Sequence, residues 1–567
     1  MKISSRVKFD RVDGIDRVFT SEFVDFLIAL HDEFTPQIHK LRAKRKEIIH
    51  RALNENQMPT YPPADIRKLD WHVPDVPKEL LRPGIEISGP ASVTGMFINA
   101  LNPGPDGTVA EGDLDDDEDA SGHRLIDTVT AALNRLAAVK GNLDYYDSKR
   151  NKRYELHDGE LPFFMHRERG LHLDETDVTI DDNPIPASIL GMGLTIFHAG
   201  RAQIEKGQGL YFYLPKMESS EEARFWRKFF DFSRDYLGIQ NDAVIRAIAL
   251  IESLPIAYQM EEVLYELGPY AAGLNAARWD FKASIFEFIM TDPSSVWPDR
   301  FDVDIKTTEF LSDIFRHLVA VCLKRGAVPI GGMATALPSK DTIVNNEASK
   351  SIIADKKWEA EQGFIRAWVA HIFHMKAAGE PFKELRNSGW KPSSEMYQPE
   401  NYPIEIKVPE GSITVDGTRR NIRMLIEYVE GWLNGRGAKG IDSLEGKPGI
   451  HPALMEDLAT GRISVAQVAQ RIIHNAKDDN TGQIHDFELV KKIIMEEIHD
   501  ILNLRSQNLT SVGDNQSQIG TEEKSRYLKA VKISMRWIKN YTELNFRSLG
   551  SYSREDLNRI SLGSDAF

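Results

Sequence analysis

The chain has 567 residues, with 70 Lys plus Arg against 85 Asp plus Glu, a formal net charge of −15. A 41% hydrophobic and 27% charged composition excludes collagen-like, mucin-like and wholly disordered classes. The acidic balance argues against a non-specific nucleic-acid binder, which needs a basic surface to displace counterions. The single cysteine, Cys322, excludes internal disulfides, thiolate zinc sites and iron–sulfur clusters. At about 100–200 residues per domain, two to four structural units are expected. No apolar run reaches the length of a membrane span, and the start lacks the apolar core of a secretory signal. The cytoplasm is the expected compartment.

Taken in chain order, residues 1–84 read as a helical unit. Thr20-Ser21 caps a helix carrying Phe23, Phe26, Leu27 and Leu30 at helical spacing, and Thr35-Pro36 restarts a second, basic helix. Its cluster Leu41–Lys46 reads as a solvated face rather than a nucleic-acid patch, given the overall charge. From residue 85 to 375 short apolar runs alternate with amphipathic stretches. The runs lie at 85–90, 108–113, 161–166, 209–216, 245–252, 271–277, 328–333 and 367–371. Continuous apolar strands alternating with helices imply a parallel sheet covered on both faces. Eight of them suit an α/β fold of the (β/α)8 TIM-barrel type; a doubly wound open sheet is the runner-up. Residues 376–420, rich in Pro, Gly, Ser and Asn, read as a linker or long surface loop. Helical periodicity returns over 421–567, interrupted by a polar gap at 506–523 that reads as mobile.

A barrel enzyme carries its reactive groups at the C-terminal ends of its strands. Here those ends offer Asp113, Arg167, Lys216, Glu252, Asp280 and His371. A carboxylate buried beside a strand end needs a partner or a cation. Two carboxylates with an arginine nearby suit a hard divalent ion such as Mg²⁺, and salt bridges across the barrel mouth are the alternative. Gly191-Met192-Gly193 lacks a phosphate-loop context and reads as core packing. His371 and His374 lack a third ligand for zinc. Cys322, Trp432 and Trp537 read as core.

Several segments together resemble the A-type malate synthase family: RERGLHL at 167–173, ALIESLP at 249–255, GLNAARWD at 273–280, GGMATALPSK at 331–340 and LMEDLATGRIS at 454–464. Shorter matches at 34–37, 70–71, 87–90, 98–102 and 211–216 fall in the same order, so the likeness spans most of residues 20–500. The resemblance implies a barrel with an N-terminal helical clasp and a C-terminal helical plug over its mouth. It implies condensation of acetyl-CoA with glyoxylate, followed by thioester hydrolysis to malate and CoA, as in the glyoxylate cycle. It places Mg²⁺ on Glu252 and Asp280, Arg167 beside the aldehyde oxygen, and Asp457 as the base. Ala277, Arg278 and Trp279 are expected to bind the oxo acid, and Asp113, Asp115 and Asp116 fill the family's acidic places after the second strand.

The chain also departs from the family. Ala277 stands where the family has glycine, and an alanine methyl there narrows or reshapes the oxo-acid pocket. The run from Asp113 to Asp119 is far more acidic than the family's, and it is no EF-hand, with Glu118 at the glycine position and Arg124 at the twelfth. The family's His-Asp-Gly-Thr reads Phe364-Ile365-Arg366-Ala367, and its His-Pro-Gly reads His371-Ile372-Phe373. Phe281-Lys282-Ala283-Ser284 follows Asp280, so Lys282 is expected to bring a charge near the metal. An insertion at 439–453 precedes the acid pair of the plug. Two other readings remain: a related condensing enzyme or carbon–carbon lyase with a different 2-oxo acid or acyl-CoA, and a non-catalytic relative.

Overall fold

A computed structural model describes residues 4–63, 65–240, 242–441, 452–511 and 520–563. The clasp is built on helix α1 (Ser21–Glu55), capped by the Thr20 hydroxyl on the Phe23 N–H. The barrel strands follow as β1 (Gly84–Gly89), β2 (Gly112–Asp116), β3 (Phe163–Arg167), β4 (Leu210–Leu214), β5 (Ile245–Ile251), β6 (Ala271–Ala276), β7 (Val328–Ala334) and β8 (Arg366–Val369). They pair in sequence order, all parallel, and β8 closes on β1. The doubly wound alternative is therefore overturned. Around them lie helices α2 (Leu125–Lys140), α3 (Arg278–Phe288), α4 (Thr342–Gln362) and α5 (Met375–Asn387). The C-terminal helices are α6 (Val415–Leu433), α7 (Leu458–Ile473), α8 (Phe487–Ser511) and α9 (Thr521–Thr542). Helix α7 packs along α3, whose first turn stands at the barrel mouth, and this brings the plug onto the C-terminal ends of the strands.

Side chains alternate along each strand. One set fills the lumen: Leu114, Met165, Tyr211, Tyr213, Ile248, Leu250, Ala272, Ile330 and Trp368. The other set joins the main core beneath the surrounding helices. The lumen also holds a buried ion pair. Arg366 Nε donates to Glu86 Oε1 at 2.6 Å, and both residues are fully buried. Glu86 Oε2 accepts the Tyr213 hydroxyl at 2.7 Å and the Trp368 indole N–H at 3.1 Å. Arg366 further donates to the carbonyls of Leu80 and Arg82, at 3.0 and 2.8 Å.

Several expectations are corrected. Residues 1–84 are not purely helical, because Val7–Phe9 pairs antiparallel with Asp174–Ile180. Helix α1 does not restart at Thr35-Pro36 but runs through Pro36. An interior proline costs roughly 3 kcal/mol. Here it sits on the exposed face, while Phe23, Phe26, Leu27, Leu30, Phe34 and Ile38 bury the opposite side on both flanks of it. The basic cluster is only partly solvated. Arg42 donates to the Leu171 and Leu173 carbonyls at 2.6 and 2.9 Å, and Arg45 pairs with Glu222 at 2.7 Å.

Strand β2 lies four residues beyond the start of the apolar run expected at 108–113. Its charges are tolerated because Asp115 meets Arg135 of α2 outside the wall and Asp116 meets Arg167 inside it. The stretch 376–387, read as linker, belongs to α5, which buries Met375, Ala378 and Phe382 against the barrel. The barrel layer thus extends past 375. Residues 415–420 likewise open α6 rather than end a linker. Of the polar gap, 512–519 lies outside the described residues, as does 442–451 of the insertion. Gly191 and Gly193 lie buried in a helix, Gly193 facing Leu30 of α1, and Cys322 is buried.

Removing one partner of a buried ion pair strands the other charge, at a cost of roughly 3–5 kcal/mol. Arg366→Ala is therefore expected to lower unfolding stability by about that amount in urea titration. A loss under about 1 kcal/mol would contradict the assignment of Arg366 and Glu86 as a mutually dependent pair.

Candidate active site

The C-terminal strand ends surround a cavity of about 510 Å³, walled by Arg167, Glu252, Ala276 through Asp280, Met333, Ala334, Trp368 and, from the plug, Asp457. Strand geometry explains the first of these. Arg167 and Glu252 lie two residues beyond the lumen-facing Met165 and Leu250, so both point inward above the apolar fill. Asp280 comes from the first turn of α3, directly after β6.

Three carboxylates converge here. Oxygens of Asp119, Glu252 and Asp280 lie within 4.8 Å of one another, and all three residues are buried. Hard oxygen donors on buried carboxylates are the donor set that Mg²⁺ takes, so the residues present fit that ion. Their charges are not left bare. Lys216 Nζ lies 3.1 Å from Asp119 Oδ1 and 3.5 Å from Glu252 Oε2, and it donates to Asp280 Oδ2. Arg462 of α7 donates to Asp280 Oδ1 at 3.0 Å. Burial, acting against the pull of Lys216, pushes Glu252 up to about 7. Burial also acts to raise Asp280, but Lys216 and Arg462 hold it below its ordinary value.

Arg167 is clamped by Asp116, Nε to Oδ1 at 2.8 Å and Nη2 to Oδ2 at 2.5 Å, and reaches Asp119 at 3.2 Å. Its guanidinium stands 5.2 Å from the Trp368 ring centroid. Burial acts to lower its pKa, yet the two aspartates hold it well above the ordinary value, so it stays a cation at the cavity wall. Asp457 is the N-cap of α7 and accepts the N–H groups of Ala459 and Thr460 at 3.1 and 3.3 Å. The same carboxyl also faces the cavity. Burial, with the charges of Asp119 and Asp280, pushes it well above the carboxylate range.

Arg167, Glu252, Asp280, Asp457 and the 277–279 segment are therefore brought together. The Arg278 side chain, however, is engaged by Asp355, at 3.2 Å, and by Glu359 of α4. At the N-terminus of α3 it is the backbone that can meet an anion; no side chain caps it. Asp116 holds Arg167 and also accepts the N–H groups of Glu118, Asp119 and Ala120, at 3.0, 3.2 and 3.1 Å, which fixes the loop that carries Asp119. Asp113 and Asp115 are corrected: both project outward from β2 into the wall, away from the cavity. Asp115 pairs with Arg135 at 2.8 Å and with His166 at 2.6 Å. Neither carboxyl oxygen of Asp113 has a hydrogen-bond partner among the described residues, and burial with the charge of Asp115 raises it well above its ordinary value. Lys282 does not approach the carboxylates. It donates to the Val303 carbonyl at 3.0 Å and lies 4.0 Å from the Trp279 ring centroid.

Sequence reasoning missed Asp119 as a site carboxylate and Arg462 as its neighbour in charge. Asp119 is masked by the acids before it, since no spacing in a run of five consecutive acids, 115–119, tells which one reaches the cavity. Arg462 was within reach, five residues after Asp457 on the same helix.

The description "Malate synthase, TIM barrel domain" matches residues 163–400, and "Malate synthase, C-terminal" matches 412–541. The chain is 34% identical over 503 residues to malate synthase A of Escherichia coli, covering 88% of this chain and 90% of that protein. It is 37% identical over 469 residues to a malate synthase of Streptomyces clavuligerus, covering 81% and 83%. A solved Haloferax volcanii malate synthase, in a pyruvate/acetyl-CoA ternary complex, aligns at a TM-score of 0.45 and 12% identity over 74% of this chain and 97% of that one, too loose a likeness to add to the sequence matches. Matched through barrel and plug alike, the chain belongs to the malate synthase family.

Proposed function

We propose that this enzyme condenses acetyl-CoA with glyoxylate and hydrolyses the product thioester, giving malate and CoA, with Mg²⁺ held by Asp119, Glu252 and Asp280. The reading is carried by one observation: a fixed cation, a carboxylate triad and a helix-cap carboxyl from another domain wall a single cavity. Its membership of the family supplies the substrates.

Each group suits a step. A thioester methyl is a weak acid, so its proton needs a positioned base and the enolate oxygen needs a cation. Asp457 takes the methyl proton; burial first, and then the charges of Asp119 and Asp280, raise its carboxyl, and neutralising those two aspartates relieves the second of these effects. Arg167 receives the developing oxyanion charge; a guanidinium does not give up its own proton near neutral pH. The methyl carbon then bonds to the aldehyde carbon, the aldehyde oxygen takes up a proton, and water cleaves the thioester to release the thiol. Bound Mg²⁺ supplies Lewis-acid polarisation of the oxo acid. The backbone at the start of α3 faces its carboxylate. Ala277 adds a methyl to that wall but leaves the backbone N–H in place. Because Asp457 rides on the plug, closure of plug on barrel both completes the site and excludes water. Retention of Arg167, the triad and Asp457 in one cavity favours catalysis over a non-catalytic relative.

Free-thiol release from acetyl-CoA in the presence of glyoxylate and Mg²⁺ checks the activity, and no turnover in a folded, Mg²⁺-loaded sample contradicts it. Asp457→Asn is expected to lower kcat by about 10²–10⁴-fold and to stop methyl-proton exchange in acetyl-CoA while leaving Mg²⁺ binding intact. Undiminished exchange removes Asp457 as the base. Loss of an outer partner costs roughly 10–100-fold in metal affinity. Glu252→Gln and Asp119→Asn should each weaken Mg²⁺ by at least about tenfold in calorimetry. Unchanged affinity in either variant removes that residue as a ligand.

A further inference from the structure

Lys216 is more tightly placed than a chance surface lysine. Its backbone sits in the left-handed region at φ 52°, which a non-glycine residue adopts only under local constraint. The constraint is visible. Its N–H donates to Glu252 Oε1, and its carbonyl accepts Arg45 of the clasp at 2.7 Å. The side chain then delivers Nζ into the midst of Asp119, Glu252 and Asp280. These are the same three carboxylates whose oxygens gather closely enough to bind an ion. An ammonium and a divalent cation cannot share them, because like charges at contact distance in a buried site repel strongly.

A second berth lies close by. Glu118 is fully buried; its Oε2 accepts the Gly170 N–H at 2.5 Å, while its Oε1 has no hydrogen-bond partner among the described residues. The nearest basic ring is His172, with Nε2 at 3.7 Å from that oxygen. The charges of Glu118 and Lys216 act on each other. A buried acceptor without a partner is costly, and the flexible four-carbon stem of a lysine can bring a donor to it.

We propose that Lys216 is a displaceable internal counter-cation, which competes with the divalent ion for Asp119, Glu252 and Asp280 and transfers its ammonium to Glu118 when the ion binds. Lys216 and Glu118 thereby set the metal affinity without being ligands. The inference rests on reading the triad as a divalent-ion site.

Mg²⁺ calorimetry on the full chain tests it through a double-mutant cycle. Lys216→Met is expected to bind Mg²⁺ about tenfold more tightly or better, since the competing charge is gone. Glu118→Gln is expected to weaken Mg²⁺ binding in the wild-type background and to have little effect in the Lys216→Met background. Lys216→Met binding no more tightly than wild type overturns the proposal, as does a Glu118→Gln effect that persists in full without Lys216. Should Lys216→Met fail to fold, a crystal structure of the wild-type chain with Mg²⁺ decides. Nζ within hydrogen-bond reach of Glu118 supports the transfer, and Nζ still on Asp280 refutes it. Absence of Mg²⁺ binding by the wild-type chain overturns the metal site itself; wild-type binding with an unimproved Lys216→Met overturns only the role of Lys216.

Discussion

Three carboxylates forced together at the mouth of a barrel, out of water, are the constraint around which this molecule is arranged. Buried anions at such distances are untenable without cations, and the fold brings cations from three directions. The clasp contributes through Arg45, which fixes the carbonyl of Lys216 at 2.7 Å and so positions its ammonium. The barrel contributes Arg167, held by Asp116. The plug contributes Arg462, bridging Asp280 to Glu287, where the Tyr541 hydroxyl also donates at 2.8 Å. The site is thus a junction of all three units rather than a feature of the barrel alone. Its charge balance and the docking of the plug are one problem.

Below the site, the lumen is more polar than a barrel interior needs to be. Arg366 fills the base of the barrel by pairing with Glu86. The same carboxylate orients the Trp368 indole, and the Trp368 ring in turn underlies Arg167. Arg366, at the start of β8, is thereby connected through Glu86 and Trp368 to Arg167 at the cavity wall. Buried polar groups of this kind hold a geometry only while every member is satisfied.

Much of this was legible in the sequence. Seven of the eight strands announced themselves as apolar runs, because a strand buried on both faces has little room for polar side chains. Only β2 was misplaced, since its pairs with Arg135 and Arg167 allow charge where hydropathy expects none. Proline misled twice, at Pro36 and Pro381, because tertiary burial outweighs a local break in the helical pattern. At the site, residues carried by sharp motifs were found: Arg167, Glu252, Asp280 and Asp457 share one cavity. Asp113 and Asp115 were not separable from Asp119, because which way an acid faces depends on strand register and on the loop after it. Lys282 looked threatening by adjacency, but its helix turns it toward Val303.

The central claim is that Asp119, Glu252 and Asp280 grip a divalent ion that the oxo acid then meets. Electron paramagnetic resonance of the protein titrated with Mn²⁺ tests this most directly. The account predicts a single tight site per chain whose spectrum changes when glyoxylate is added, as the substrate enters the coordination sphere. Only weak, scattered Mn²⁺ binding, or a tight-site spectrum indifferent to glyoxylate, would contradict it.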